Sequence, residues 1–474
     1  RSINPARPSQ YISRAQMDWP KAGLRASPCG FQFRLHSVPI VARRGATPRH
    51  TRNMRCAHDH ATDTLSGPYS EDEFFDDLIK VTQGQTDEHL ARLMIRESKD
   101  VLDWIQDQGV RFQPSLGGTL SLGRTNSFFL GGGRSMLNAL YLTAERLNVE
   151  VRYDAEITAI DIEDGVFKSL SYRDGTMVRT ARARTFVAAA GGFEANIEWL
   201  KQGWGEAAEN FLIRGTPYNR GAVLRMLLDK GVQAIGDPTQ CHAVAIDARA
   251  PKFDGGIITR LDCVVFGVVV NTHARRFYDE GEDVWPKRYA IWGRLVAQQP
   301  DQIAYIIFDD SSRKRLMPTL YPPIRAGSVA ELAEKLGLDA ETLGATIGDF
   351  NAAVQPGTFD HTTLDDCRTV GLDPPKTHWA RRIETAPFYA YPVRPGITFT
   401  YLGVRVNDEA RMTMADGNGA KNMFAAGEIM AGNVLGRGYA AGIGMTIGAV
   451  FGRMAGRSAA RAAGLGALTK EIVE

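Results

Sequence analysis

A lone carboxylate and a lone guanidinium occur in a segment near the C-terminus that is otherwise built from small or uncharged residues. The segment reads NMFAAGEIMAGNVLGRGYAAGIGMTIG (422–448), and its charged residues are Glu428 and Arg437. Glu428 follows an apolar run that predicts a buried strand, and the glycines allow backbone to approach a ligand closely. A carboxylate there can accept hydrogen bonds from ribose or ribityl hydroxyls. The alternative is a surface glutamate after a turn.

Two further glycine-rich stretches could contact a cofactor. FVAAAGGFEAN (186–196) predicts a buried strand that ends at Gly191 and Gly192, where backbone N–H groups become available. LGGGRSMLNAL (130–140) places three glycines before a predicted helix, whose N-terminus would attract phosphate. Taken singly, each stretch also fits an ordinary turn or loop.

The surrounding pattern predicts an α/β fold that would position these segments. SEDEFFDDLIKVT begins with an N-cap serine, Ser70, and DEHLARLMIRESKDVLDWIQDQG predicts an amphipathic helix that ends at Gly109. Helices and strands alternate, which favours a parallel sheet. The section 241–375 is less regular and richer in proline, and predicts an inserted α+β capping domain. We therefore expect one domain in two parts, 49–240 and 376–474, and an atypical, disordered or non-native segment at 1–48.

Composition excludes several classes of protein. The chain has 474 residues and a net charge of +2, so nothing global predicts binding to nucleic acid or to an anionic membrane. Its five cysteines form no C-x-x-C pair, so we predict reduced structural cysteines and no metal site. The purest apolar run, CVVFGVVV (263–270), has the length of a strand, and no transmembrane helix is predicted.

The order and spacing of several phrases resemble the FAD-dependent fumarate reductase/succinate dehydrogenase flavoprotein superfamily, and within it the tricarballylate dehydrogenase family. These phrases extend over about residues 50–460 and include HTRNMRCAHD, ENFLIRGT, DPTQCHAVAIDARAP, PGITFTYLGVRV and AGNVLGRGYAAGIGMTIG. The resemblance implies an FAD-binding Rossmann-like domain with a capping catalytic domain. It also implies an enzyme in which a flavin exchanges a hydride with a dicarboxylate-like substrate.

The resemblance also implies roles for individual residues. Arg288, in PKRYAIWGR, would move the proton at the carbon beside the one that exchanges the hydride. His242, Thr259 and Arg437 would bind substrate carboxylates. The cofactor-binding residues would be Ile157, Ala189, Gly191, Gly192, Glu428 and Gly442. The alternatives are a surface position for Arg288 and a core histidine at His242.

Two departures from fumarate reductase bear on the substrate. Thr398-Phe399 stands where that enzyme has paired histidines, and Arg260 stands where it has a glutamate after the carboxylate-binding threonine. A cation at 260 could meet a third carboxylate, so we expect oxidation of tricarballylate to cis-aconitate. The alternatives are a fumarate reductase/succinate dehydrogenase-like or 3-ketosteroid dehydrogenase-like enzyme. The arginine, histidine and threonine set argues against a steroid.

One expected motif is missing. A flavoprotein of this type should begin with a strand, G-x-G-x-x-G and a helix, but residues 1–45 contain only Gly23, Gly30 and Gly45. We expect that the upstream coding region is lost, or is read in another frame to about residue 48. On this interpretation FAD binding is weakened, and a truncated, non-catalytic remnant is the alternative to an enzyme.

Electrons from the reduced flavin require an acceptor outside the chain. No haem-attachment or cluster motif occurs here, and the resemblance implies a membrane-bound iron–sulfur protein as the partner. We expect a cytoplasmic protein, either free or peripheral at the inner face of the membrane through that partner. His50 and His58 are equal candidates for covalent flavin attachment, and non-covalent FAD remains open.

Overall fold

The computed structural model describes residues 34–35, 47–115, 122–254, 258–282 and 289–465. Most of the segment 1–48, and the predicted proton-transferring residue Arg288, therefore lie outside the described residues. The helices are α1 Glu71–Thr82, α2 Glu88–Asp107, α3 Leu122–Thr125, α4 Gly132–Arg146, α5 Ile197–Trp204, α6 Ala222–Asp229, α7 Trp292–Ala297, α8 Asp310–Arg313, α9 Val329–Leu336, α10 Ala340–Ala353 and α11 Ile443–Ala462.

The strands range from two to 13 residues in length. They are β1 Arg34–Leu35, β2 Asn53–Arg55, β3 Asn126–Phe128, β4 Val151–Arg152, β5 Ala155–Glu163, β6 Val166–Asp174, β7 Met177–Arg182, β8 Phe186–Ala188, β9 Leu212–Ile213, β10 Ala234–Ile235, β11 Cys241–Asp247, β12 Val268–Asn271, β13 Ala304–Asp309, β14 Ile324–Ala326, β15 Phe388–Thr400, β16 Gly403–Val404, β17 Arg411–Thr413 and β18 Gly419–Ala425.

Side-chain caps explain where the first helices begin. Ser70 accepts a hydrogen bond from the backbone N–H of Glu73, and Asp87 accepts one from Leu90, so α1 and α2 each start at a residue that satisfies a free N–H. Both helices bury one face, which includes Phe74 of α1 and Met94 of α2. The two predicted helices are thus confirmed.

A small sheet brings two of the predicted cofactor-binding segments together. β8 pairs in parallel with β18, and β17 pairs antiparallel with the other edge of β18. Because the two parallel strands end at the same edge, the Gly191-Gly192 turn after β8 lies beside Glu428, which follows β18. Helix α11 packs on this sheet through apolar residues that include Phe451.

A larger sheet forms the second lobe. Its order is β11-β15-β13-β12, with β9 and β14 also paired to β15, and the only parallel pair in it is β9 with β15. Helices α9 and α10 cover one face through residues such as Leu332 and Phe350. This sheet extends past the predicted segment 241–375, because β15 runs to Thr400.

The long strand β15 belongs to both lobes. Tyr391 and Val393 lie in the apolar core of the second lobe, with Trp292 and Phe308. Ile397 lies instead in the large core that includes α1, α2, β18 and α11. The predicted mixture of helices and sheets is confirmed, and one continuous strand connects the two cores.

Candidate active site

Two buried carboxyl groups meet at the end of β18. Glu428 Oε1 accepts hydrogen bonds from Thr400 N at 2.9 Å and Thr400 Oγ1 at 3.2 Å. Glu194 Oε1 accepts from Asn219 Nδ2 at 2.7 Å and Thr47 Oγ1 at 3.2 Å. The two carboxyls lie close enough to act on each other's pKa, and burial of both favours a proton on at least one of them. Burial and then the charge of Glu194 raise the pKa of Glu428 well above its ordinary value.

The glycine turn after β8 is packed against this pair. A Cβ at Gly192 would overlap Thr400 Oγ1 and Glu428 Oε1, so any other residue would displace Glu428. Gly191 has a φ of +76°, which L side chains rarely adopt. The structure therefore brings together three of the predicted cofactor-binding residues, Gly191, Gly192 and Glu428.

The start of α11 is fixed by the HTRN region of the sequence. Arg55 Nε donates to the carbonyl of Ala441 at 3.0 Å, and Asn126 Nδ2 donates to the same oxygen at 2.7 Å. Gly442 is the N-cap of α11, with a φ of +83°, and a Cβ there would overlap the amide of Asn126. The backbone of Gly442 is thus held tightly where the glycine segment turns into the helix.

A second group of residues lies along β11 and the segment before α11. The imidazole of His242 stacks on the ring of Tyr439, with centroids 3.7 Å apart and an interplanar angle of 5°. Tyr439 Oη accepts a hydrogen bond from Gly444 N at 3.2 Å, in the first turn of α11. The stack joins the second lobe to the segment that carries Arg437.

Cationic groups surround His242. Burial first, and then the charges of Arg214 and Arg260, lower the pKa of His242 well below its ordinary value. Arg260 pairs with Asp262, with Nη2 to Oδ2 at 2.5 Å. The imidazole is therefore neutral at physiological pH.

The predicted carboxylate-binding residue Thr259 is hydrogen-bonded to an aspartate. Thr259 Oγ1 donates a hydrogen bond to Asp254 Oδ2. The backbone N–H of Asp254 donates in turn to the carbonyl of Ile213, one residue before Arg214. Thr259, Asp254 and Arg214 thus belong to one connected part of the site.

Two further arginines, Arg294 and Arg437, lie near each other. Burial first, and then the charge of Arg437, lower the pKa of Arg294, and Cys241 is also among its neighbours. Sequence reasoning missed Arg294, although it lies in the PKRYAIWGR phrase, and it missed Arg214 in ENFLIRGT. PKRYAIWGR contains two arginines, and nothing in ENFLIRGT indicated that its one arginine lies near His242.

Of the remaining predicted residues, His50 lies near Arg214, and Ile157 lies in a different sheet from β8 and β18. Ile157 is buried in β5 opposite Tyr172, in a different sheet from Gly192 and Glu428. Ala189 is exposed just after β8. His58 contacts the carbonyls of Cys56 and Gly67 through its two ring nitrogens. His50 is half-buried, with Arg214 among its charged neighbours.

Other classes of site were also sought. Across the described ranges, no three His, Cys, Asp or Glu side chains are placed to share a metal ion. No helix within the same ranges has the length and apolar character needed to cross a membrane. Cys56, Cys241, Cys263 and Cys367 are buried and unbridged, and burial raises the pKa of each thiol.

Comparison with known proteins agrees with this fold. The structure of the open conformation of a flavocytochrome c3 fumarate reductase superposes with a TM-score of 0.66 at 20% identity, over 90% of this chain and 73% of that one. NADH:acrylate oxidoreductase of Vibrio harveyi is 26% identical over 374 residues, which are 74% of this chain and 35% of the relative. NADH:fumarate oxidoreductase of Klebsiella pneumoniae (strain 342) is 24% identical over 409 residues, or 84% and 42%. The chain thus spans less than half the length of these two relatives.

The fold and the family match together define an FAD-binding protein. The family described as an FAD binding domain matches residues 56–445. The chain belongs to this family, within the fumarate reductase/succinate dehydrogenase flavoprotein superfamily.

The described residues fit one half of an FAD site. The carboxyl pair and the glycine turn form a tight cradle of carboxyl oxygens and backbone N–H groups, suited to the hydroxyls of a ribose or ribityl chain. A G-x-G-x-x-G turn, which would hold the pyrophosphate, does not occur in the sequence. Glu428, Gly191 and Gly192 are therefore the residues that would hold the cofactor from this side.

Proposed function

We propose that this protein is an FAD-dependent dehydrogenase of a small polycarboxylate, with tricarballylate as substrate and cis-aconitate as product. The observation that carries the proposal is the stack of Tyr439 on His242, with the charges of Arg214 and Arg260 acting on His242 and the charge of Arg437 acting on Arg294. A concentration of guanidinium groups favours a ligand of opposite charge.

The reaction removes two hydrogens from adjacent carbons. Bound FAD supplies the acceptor for the hydride, and a C=C bond forms when the neighbouring carbon loses a proton. We assign that proton to Arg288, whose guanidine must be neutral to accept it.

The other residues bind and orient the substrate. Arg437 would bind the carboxylate nearest the flavin, and His242 and Thr259 would bind a second carboxylate. Neutral His242 would do so as an N–H donor held in place by the Tyr439 ring. Arg260, already paired with Asp262, would face the third carboxylate. Each charge-assisted hydrogen bond would contribute about 1.5–3 kcal/mol.

The proposal also gives each lobe a role and includes an electron acceptor outside the chain. We assign cofactor binding to the lobe that contains β8, β18 and α11, and substrate closure to the lobe around β11–β15. The reduced flavin would pass its electrons to a membrane-bound iron–sulfur protein, with the protein in the cytoplasm at the inner face of the membrane.

Turnover of tricarballylate and of succinate, each with a dye as electron acceptor, tests the substrate. We expect the higher kcat/KM with tricarballylate, and a visible flavin spectrum that is bleached by it. A preference for succinate would contradict the substrate assignment. Arg288→Met should abolish turnover while tricarballylate still binds, and a variant that retains turnover would remove Arg288 from the mechanism.

A further inference from the structure

Arg214 lies where strands of the two lobes meet. It follows β9 directly, and its backbone N–H donates to the carbonyl of Ile397 in β15 at 2.7 Å. On the other side of β15, His242 in β11 is paired with Phe399. Arg214 and His242 therefore flank the same short stretch of β15.

The Arg214 side chain lies along this stretch and not in solvent. Arg214 is only 8% exposed, and its Nη1 donates to Thr398 Oγ1 at 2.8 Å. Gly396 provides the space, because a Cβ there would lie 3.2 Å from Arg214 Cδ. The hydroxyl of Thr398 thus holds the guanidinium in one orientation over β15.

The neighbours of Arg214 include residues already assigned to the substrate. Its charge acts on His242 and on His50, and Asp254, which binds Thr259, is joined by its backbone to Ile213. Thr398 itself stands where the resembling enzymes have a histidine. A threonine there cannot supply a cation, but it can orient one that comes from β9.

We propose that Arg214, oriented by Thr398, binds a carboxylate of the substrate and selects a tricarboxylate over a dicarboxylate. This inference rests on the proposed function. Arg214 and Arg260 then form one cationic group near His242, and Arg294 and Arg437 form a second. A tricarboxylate places one more carboxylate among these guanidinium groups than a dicarboxylate does, and Arg214 would share that carboxylate with Arg260.

Binding of tricarballylate and of glutarate, which have the same carbon chain, tests whether Arg214 recognises the additional carboxylate. Glutarate is tricarballylate without the central carboxylate, so binding of both to the full-length protein by isothermal titration calorimetry isolates one charge. We expect Arg214→Met to weaken tricarballylate binding by about 10- to 100-fold and glutarate binding by less than about 3-fold. Arg214→Lys should recover part of the lost affinity, since it keeps the charge without the planar fork.

Arg225→Met is the matched control, because Arg225 packs over the Trp199 ring, with Cζ 3.9 Å from its centroid. It should leave both affinities unchanged. Thr398→Val removes only the oxygen that orients Arg214, and should give a smaller loss that again affects tricarballylate alone. This variant decides the question if Arg214→Met does not fold, as judged by circular dichroism.

The outcomes separate the two proposals. Equal losses for both ligands in Arg214→Met, or no loss for either, overturn the role of Arg214 but leave a polycarboxylate enzyme standing. Wild-type protein that binds neither ligand overturns the substrate class, and the role of Arg214 with it.

Discussion

At the scale of single residues, the cofactor side of the site depends on Gly192. Gly192→Ala should destabilise the protein by about 1–3 kcal/mol, because the added methyl group must displace Glu428 or Thr400. Urea unfolding would measure this. Gly344→Ala, in α10, has open space around the new methyl group and should instead be neutral or slightly stabilising. Equal effects of the two substitutions would contradict the close packing at Gly192.

The carboxyl pair predicts a pH dependence of stability. The folded-state pKa values of Glu194 and Glu428 are raised above the ordinary 4.5, so the folded protein keeps a proton that the unfolded chain releases. The free energy of unfolding should therefore fall as the pH rises above about 4.5 and continue to fall through the raised pKa. Glu428→Gln, which keeps the hydrogen bond without the charge, should reduce this fall.

Urea unfolding between pH 4.5 and pH 8 measures the effect. Glu341→Gln, at an exposed position in the first turn of α10, is the matched control and should leave the wild-type profile unchanged. A wild-type protein whose stability does not fall over this range would show that the folded protein does not hold a proton on either carboxyl.

At the scale of elements, Arg55 holds three segments together. It pairs with Asp77 of α1 at 3.2 Å, donates to Tyr69 Oη at 2.5 Å, and binds the carbonyl of Ala441 before α11. Arg55→Met leaves Asp77 buried without its cation and should cost about 3–5 kcal/mol in unfolding free energy. Arg92→Met removes an exposed arginine that pairs with Asp72, and should cost about 0–1 kcal/mol. Similar costs would mean that the buried pair does not hold these elements.

In the second lobe, the buried Lys376 connects its own segment to the turn before β12. Lys376 Nζ donates to the carbonyls of Val265 and Gly267, at 2.8 and 2.6 Å, and burial lowers the pKa of Lys376 to about 8. The unfolded chain therefore binds more protons between about pH 8 and the ordinary 10.5, so this group makes stability rise with pH over that window. Lys376→Met should flatten the rise in urea unfolding, whereas Lys335→Met, at an exposed lysine of α9, should preserve it.

Sequence patterns predicted local elements better than the contacts between them. The caps at Ser70 and Asp87 are encoded within a few residues, and both helices are confirmed. The apolar run 263–270 was strand-like in length, but it folds as a 3₁₀ turn and then β12, with Gly267 packed against the carbonyl of Ile307. That contact is set by tertiary packing, which a local pattern does not contain.

Contacts within the site are also hard to predict from sequence when the two residues lie far apart along the chain. Glu428 and Gly192 were predicted because each follows a strand, and their meeting is confirmed by the pairing of β8 with β18. Arg214 is hydrogen-bonded to Thr398, which lies 184 residues further along the chain. Glu194 lies near Glu428 because β8 and β18, the strands that precede them, are paired. No spacing within one segment indicates such contacts.

At the scale of the whole molecule, FAD should stabilise the folded chain. A ligand that binds only the folded state adds about 2.7 kcal/mol at a concentration 100 times its Kd. Thermal unfolding with increasing FAD should show a rising midpoint in the wild-type protein, and the rise should be reduced in Gly192→Ala. Riboflavin, which lacks the adenosine half, is the matched ligand control. An unfolding midpoint that is independent of FAD would mean that the glycine turn and Glu428 do not retain the cofactor.

Strand β15 gives the molecule a direct mechanical connection. Because Tyr391 lies in the core of the second lobe and Thr400 donates its N–H to Glu428, β15 would transmit a displacement of the second-lobe sheet by a bound anion to the carboxyl pair. Thermodynamic reciprocity then requires that the factor by which the anion tightens the coenzyme equals the factor by which the coenzyme tightens the anion.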